Sequence, residues 1–329
     1  MTIDRRSAIL ATLAAGVAGT ARAQTAPPAG QPTPGLIEPS ETIDLWSKGA
    51  PGMPATPPVE TVTERSKDPN ISDRAVTGIV RPRLVVFRPA IPNGSAAMIA
   101  PGGGYVRVVV DKEGYEMGRW LAARGWTVFV LFYRLPGEGW KDQANVALAD
   151  AQRAMRLIRH RASTYGIQPE RVAAMGFSAG GHVCGDLATR FDAKVYEPVD
   201  ATDKLSARPD IAAPIYGVQS MAEPFAHPGS REVVLGKNPT PEMERAHSPA
   251  NNVTKATPPC FLVHAEDDPV VPVENSIQLR AALKAVGVKV ETHLFTNGGH
   301  GFGLRFTPGK PVAAWPDLFV QWAQSQGLG

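Results

Sequence analysis

Cysteine and net charge are what this sequence has least of, and long apolar runs are short in it as well. Its 329 residues include two cysteines, Cys184 and Cys260, too few for a disulfide scaffold, and nothing around them has the spacing of a metal site. The two are able to pair in an oxidising compartment. However, one falls in a predicted helix and the other opens a predicted strand, so two buried free thiols are expected. The apolar run near the N-terminus, residues 8–18, falls short of the roughly 20 residues a membrane-spanning helix needs and is rich in Ala and Gly. The formal charge is +3, which excludes general attraction to nucleic acid or an anionic membrane. No internal repeat is present. What remains is 43% hydrophobic and 20% charged, an ordinary composition for a chain able to bury one large core or two modest ones.

Arg5-Arg6, the apolar segment after them and Ala21-Arg22-Ala23 together form a secretory signal with an A-x-A cleavage site. They predict a twin-arginine signal peptide over residues 1–23 and export to a bacterial periplasm or beyond. Cleavage removes Arg5, Arg6, Arg22 and Asp4; 34 basic residues less three and 31 acidic less one leave a net charge of +1. Residues 24–58 are rich in Pro, Gly, Ala and Thr. They are expected to form a leader, disordered at 24–35, in which residues 43–46 are the first piece to dock. Residues 51–58 should lie as a surface strap, because proline cannot donate to a ladder.

A β/α alternation then runs to the end. Strands are predicted at 84–87, 96–100, 127–133, 171–175, 210–216, 261–265 and 288–295, and helices at 113–123, 143–165, 181–190, 273–286 and 312–326. The uninterrupted apolar run at 127–133 marks a strand buried on both faces. Ala147, Ala151, Ala154, Leu157 and Ile158 fall at helical spacing, and Gly287 is placed to close a helix. The pattern predicts a three-layer α/β fold with a mostly parallel central sheet, as one catalytic domain over 59–329. The irregular stretch 218–259 is expected to form a small cap over the sheet's C-terminal edge.

The chemistry is organised around Gly176-Phe177-Ser178-Ala179-Gly180, set between a strand and a helix. This is the pattern of a nucleophile elbow. The serine sits on a sharp turn that holds its hydroxyl clear of the sheet, small residues two positions either side avoid collision, and the following helix directs its positive N-terminus at any oxyanion formed there. A serine nucleophile needs a base, and the base needs an orienting acid. Of seven histidines, only His300 lies in a glycine-flanked loop after the last predicted strand. His182 projects from a helix, His264 sits inside a strand as a packed or hydrogen-bonded core residue, and His160, His227, His247 and His293 read as surface or structural. For the acid, Glu266, Asp267 and Asp268 all follow strand 261–265 at the same sheet edge. Serine, acid, histidine is the chain order of α/β-hydrolases. After strand 96–100, Pro101-Gly102-Gly103-Gly104-Tyr105 brings backbone amides close to a ligand. Gly103 and Gly104, with Ala179 after the elbow, are the expected oxyanion donors. A phosphate loop is disfavoured because neither the following Lys-Ser/Thr nor the G-x-G-x-x-G spacing is present.

On these motifs, Met98 to Phe306 resembles the α/β-hydrolase esterases, and most nearly bacterial carbohydrate esterases of the acetylxylan-esterase or acetyl-esterase kind. Pro101-Gly102-Gly103-Gly104 stands where many esterases have His-Gly-Gly-Gly. Tyr133-Arg134-Leu135-Pro136 is similar to the Tyr-Arg-Leu of the hormone-sensitive-lipase-like group, and Phe177 to His182 resembles the elbow of both. Asp268-Pro269-Val270-Val271-Pro272 resembles the acid-bearing loop, and that resemblance selects Asp268 over Asp267. Pro101 in place of histidine departs from the pattern but leaves the glycine donors intact.

The resemblance implies a serine esterase acting through Ser178, His300 and Asp268 on short acyl groups, acetyl foremost, carried by plant polysaccharide such as xylan, by its oligosaccharides or by small esters. It implies no metal and no organic cofactor. Tyr105, Trp140 and Phe302 fall in loops at the sheet's C-terminal edge, where aromatic rings are able to stack on sugars, and they are the candidate substrate contacts. The lack of a long apolar lid argues against a lipase of fat droplets. Three alternatives carry less. A prolyl-oligopeptidase-type peptidase needs room for a propeller, a dienelactone-type hydrolase normally has cysteine at the elbow, and an exported carbohydrate-binding pseudo-hydrolase is opposed by the complete set of Ser178, Asp268 and His300. No nucleic-acid partner is expected, nor a membrane partner once the signal is removed.

Overall fold

Val-Phe-Val-Leu-Phe at 128–132 offers no polar side chain to either face of a strand, so it needs cover above and below. The computed structural model describes residues 37–329 and supplies that cover. In chain order its elements are β1 (Glu41–Asp44), β2 (Thr61–Glu64), β3 (Arg74–Thr77), β4 (Arg83–Phe87), β5 (Ala96–Ala100), β6 (Val108–Val109), α1 (Glu116–Ala122), β7 (Thr127–Phe132), α2 (Val146–His160), β8 (Val172–Phe177), α3 (Ala179–Arg190), β9 (Ile211–Ile215), α4 (Pro228–Leu235), α5 (Pro241–Ala246), β10 (Cys260–Ala265), α6 (Glu274–Ala285), β11 (Val290–Phe295) and α7 (Trp315–Ser325).

Eight strands form the main sheet in the order β1-β4-β7-β5-β8-β9-β10-β11, and β2, β3 and β6 form a separate small sheet. The β1–β4 and β4–β7 pairings are antiparallel and all later ones parallel. The chain steps from β5 out to β7, then back past β5 to β8. With right-handed crossovers, those opposite steps put α1 and α2 on opposite faces, and α3 packs beside α2. The reversal makes the gap between β5 and β8 a topological switch point, where open α/β sheets form their ligand crevice. Ala100 pairs with Gly176, so the glycine loop and the serine elbow leave the sheet side by side. At the far end α7 lays Phe319 and Trp322 on Phe261 of β10, with ring centroids 5.6 and 5.5 Å apart.

The main sheet begins earlier than the expected boundary at residue 59. β1 pairs Ile43 with Leu84, and Ile43, Leu45 and Trp46 are buried, because a solvated strap would leave too much apolar surface in water. The Trp46 indole donates to Asp150 at 2.7 Å, and Asp150 forms a buried ion pair with Arg134 at 2.8 Å. Residues 51–60 run without strand pairing. The stretch 218–259 is not irregular throughout, since it contains α4 and α5. Each has proline at its start and a side-chain cap, from His227 and Thr240 respectively. The predicted helix 143–165 is α2 flanked by tighter 3-10 turns, and α7 starts at Trp315 because Pro316 sits in its first turn. Cys184 and Cys260 are free and buried, and burial pushes the Cys184 thiol up to about 12. The expected signal segment 1–23 and the leader before residue 37 lie outside the described residues. Among the described residues no helix is long and apolar enough to cross a membrane.

Candidate active site

Between β8 and α3 the backbone of Ser178 adopts φ 54°, ψ −117°, a region that costs a non-glycine residue about 1–3 kcal/mol. Two close approaches allow the turn. A Cβ on Gly176 would lie 1.9 Å from the Gly180 carbonyl oxygen, and one on Gly180 would lie 2.0 Å from that of Ala100. The G-x-S-x-G spacing is therefore a steric requirement.

Ser178 Oγ lies 2.8 Å from His300 Nε2, and His300 Nδ1 lies 2.7 Å from Asp268 Oδ2. A carboxylate only accepts, so Nδ1 carries the ring proton and Nε2 is free to accept from the serine hydroxyl. Asp268 is itself held in place: Oδ1 accepts the amides of Val270 and Val271 at 2.9 and 3.0 Å, and Oδ2 lies 3.2 Å from His264 Nε2. Burial acts to raise the Asp268 pKa, but the hydrogen bonds from His264 and His300 outweigh it and hold the carboxyl well below the usual carboxylate range. Asp267 faces elsewhere, its Oδ1 accepting the amides of Gly298 and Gly299 at 2.8 Å each and so shaping the loop before His300. Glu266 stays exposed.

Gly103 and Gly104 line a cavity of about 370 Å³ together with Ser178 and His300. Both have positive φ, and their amides have no acceptor among the described residues. Ala179 opens α3 next to the serine. The amide of Gly102 is already engaged, donating to Glu113 Oε2 at 2.9 Å. Glu113 is buried. Its Oε1 accepts the Tyr216 hydroxyl at 3.1 Å, and the Tyr216 oxygen accepts the Gly303 amide at 3.1 Å. Burial, and then the Glu113 charge, push the Tyr216 phenol well above its usual value, so it remains a donor. One carboxylate thus ties the glycine loop to the loop of His300, and Tyr216 stacks edge-on against the His300 ring at 5.3 Å. Sequence reasoning missed both residues. Glu113 reads as the opening of an exposed helix and Tyr216 as the last residue of a strand, and no spacing rule connects either to the glycine triplet.

The three candidate substrate contacts are not in this cavity. Tyr105 is buried and its hydroxyl lies 2.6 Å from His182 Nδ1. Nε2 of that ring faces the His247 carbonyl at 2.8 Å, so it is the protonated nitrogen and Nδ1 accepts from Tyr105. Trp140 is buried with its ring 5.0 Å from the Arg134 guanidinium, and lies by the strap. Phe302 is fully buried against Tyr216 at 4.5 Å. All three rings are turned into the fold, where their contacts are with protein side chains. The cavity rim comes instead from Arg65, Val106, Arg107, Lys112, His227 and Val270. Burial and the neighbouring His300 lower the His227 pKa, and its Nδ1 caps α4 by accepting the Ser230 amide at 3.1 Å.

A family model described as BD-FAE matches residues 93–283. An acetylxylan esterase of Xylanibacter ruminicola is 33% identical over 226 residues, 68% of this chain and 44% of that protein. Endo-1,4-beta-xylanase B of Butyrivibrio fibrisolvens is 37% identical over 204 residues, 62% of this chain and 32% of that protein. The matched stretch thus spans less than half the length of these curated relatives. Among solved structures, an acetyl ester-xyloside bifunctional hydrolase from Caldicellulosiruptor lactoaceticus is 35% identical with a TM-score of 0.74, covering 90% of this chain and 100% of that one. An esterase of Thermogutta terrifontis, 23% identical with a TM-score of 0.62 over 84% of this chain and 96% of that one, shares the fold. The fold is that of the α/β-hydrolases.

Proposed function

This chain belongs to the BD-FAE family, and we propose that it is a serine esterase that releases short acyl groups, acetyl foremost, from plant polysaccharide or its oligosaccharides. The observation that carries this is the 2.8 Å contact of Ser178 Oγ with His300 Nε2, backed by Asp268 and sharing a cavity with Gly103 and Gly104, whose amides have no acceptor among the described residues. In the proposed reaction Ser178 attacks the ester carbonyl as His300 takes its proton. Asp268 holds the tautomer and stabilises the imidazolium. The amides of Gly103, Gly104 and Ala179 bind the oxyanion, and each such donor is typically worth about 100- to 1000-fold in kcat. The alkoxide leaves with the proton from His300, and water, activated by the same imidazole, cleaves the acyl-enzyme. No step calls on a cofactor.

The saccharide carrier is supported by the names of the relatives, which specify acetylxylan, xylan and an acetyl ester-xyloside, and by a cavity large enough for an acyl group with part of a sugar. Export through the twin-arginine route belongs to the same proposal and is supported by Arg5-Arg6 and Ala21-Arg22-Ala23. The test is acetate release from acetylated xylan, compared with aryl esters of increasing acyl length, together with fluorophosphonate labelling. Acetate release with label on Ser178 is expected. A wild-type chain that neither labels nor turns over any ester would overturn the proposal.

A further inference from the structure

The cavity over Ser178 is electrostatically lopsided. Three cationic side chains line it, Arg65, Arg107 and Lys112, against the single carboxylate of Glu113. Arg65 is compensated by Asp73, whose Oδ2 accepts its Nε and Nη2 at 3.1 and 2.6 Å. Both Glu113 oxygens accept internal hydrogen bonds, from the Gly102 amide and the Tyr216 hydroxyl, and Lys112 Nζ stands 3.9 Å from Oε1, so those two charges offset one another. Arg107 has no carboxylate partner among the described residues. It is exposed, and its stem crosses Gly103 so closely that a Cβ there would lie 2.8 Å from Arg107 Cγ. The side chain thus starts beside Gly103 and lines the same cavity as Ser178. Val106 and Val270, 48% and 42% exposed, add apolar surface to the same cavity, and a low-dielectric wall strengthens the pull of a lone charge on an incoming anion.

An unpaired guanidinium is a planar fork that matches a carboxylate. We propose that the substrate of this site is acidic: Arg107 holds a carboxylate of the substrate next to the ester that Ser178 attacks. On a saccharide that carboxylate is a uronic acid. The inference rests on the esterase proposal and narrows it, because a neutral acetylated saccharide would give Arg107 no charge to engage.

A matched pair of probes tests it, 4-acetoxybenzoate and its neutral methyl ester, read as the ratio of kcat/KM for the charged over the neutral ester after dividing by their uncatalysed hydrolysis rates. In the wild-type protein the ratio should exceed one and shrink with about 0.5 M salt, which screens exposed charges. Arg107→Ala should lower it about tenfold, the scale of one charge-assisted hydrogen bond, and Arg107→Glu should carry it below one. Acetylated xylo-oligosaccharides with and without a uronic acid branch then separate the sources. A parallel shift assigns the carboxylate to the sugar, and a shift confined to the benzoates assigns it to small acidic esters. A ratio unchanged across wild type, Arg107→Ala and Arg107→Glu, with the neutral ester still hydrolysed, overturns this inference and leaves the esterase proposal standing. Failure of the wild type on both esters overturns the esterase proposal itself.

Discussion

Tyr216 and Glu113 share a 3.1 Å hydrogen bond that joins the loop bearing the amide donors to the loop bearing His300. Neither side chain hydrogen-bonds Ser178, yet the loops on both sides of the cavity meet at this contact.

Tyr216→Phe removes the hydroxyl that Glu113 accepts and that receives the Gly303 amide. Leaving buried partners unmet costs about 1–3 kcal/mol, readable by denaturant titration. If the contact positions the two loops, kcat for an aryl acetate should fall about tenfold with KM little changed. A variant that loses stability with kcat intact would show that the loops hold their geometry independently.

Ser178 pays for its reach in backbone strain, and glycine adopts its φ of 54° without penalty. Ser178→Gly should therefore be more stable than Ser178→Ala by about 1 kcal/mol or more, measured by thermal unfolding. Both should lose turnover by on the order of a million-fold and take no fluorophosphonate label. Equal stability of the two variants would refute the strain argument.

Asp268 has a depressed folded pKa. Its contribution to stability is therefore complete above its unfolded pKa of about 3.9 and is lost as pH falls further, towards the folded value. The stability gap between wild type and Asp268→Asn should be constant from neutral pH down to about pH 4 and close below it. Activity of Asp268→Asn should be about 10,000-fold down at neutral pH. A gap that instead closes between pH 5 and 7 would identify another titrating group.

Tyr105→Phe distinguishes a buried support from a sugar platform. His182, which burial keeps neutral by lowering its pKa, would lose the donor to Nδ1, at a cost of about 1–3 kcal/mol. The KM for an acetylated oligosaccharide should not rise. A raised KM at unchanged stability would return Tyr105 to the substrate face.

The parts of the site that were legible in the sequence are those where backbone geometry dictates residue type. Gly176 and Gly180 are glycines because carbonyl oxygens lie where a Cβ would be, and that constraint is visible as a spacing. The loop glycines and the order of Ser178, Asp268 and His300 were legible for the same reason, since each follows a strand end. Glu113 and Tyr216 were not, because their partnership depends on how two loops fold over each other and leaves no periodicity. The burial of Tyr105, Trp140 and Phe302 was hidden in the same way: composition says that an aromatic ring sits in a loop but not which way the loop turns. β1 was hidden by the proline-rich sequence around it, although Trp46 reaches Asp150 across 104 positions of sequence.

The small sheet is anchored to the glycine loop. Ser178, His300, Gly103 and Gly104 all follow strands of the main sheet, whereas Arg65 follows β2 in a hairpin that pairs with β6, and Val109 of β6 donates its amide to the Gly102 carbonyl at 2.9 Å. Rim and glycine loop are therefore mechanically connected, since Arg107 lies between the glycines and β6. A change in the hairpin is thus felt at Gly102 through two hydrogen-bonded steps, and a hairpin exchanged between relatives should shift turnover together with whatever preference it brings.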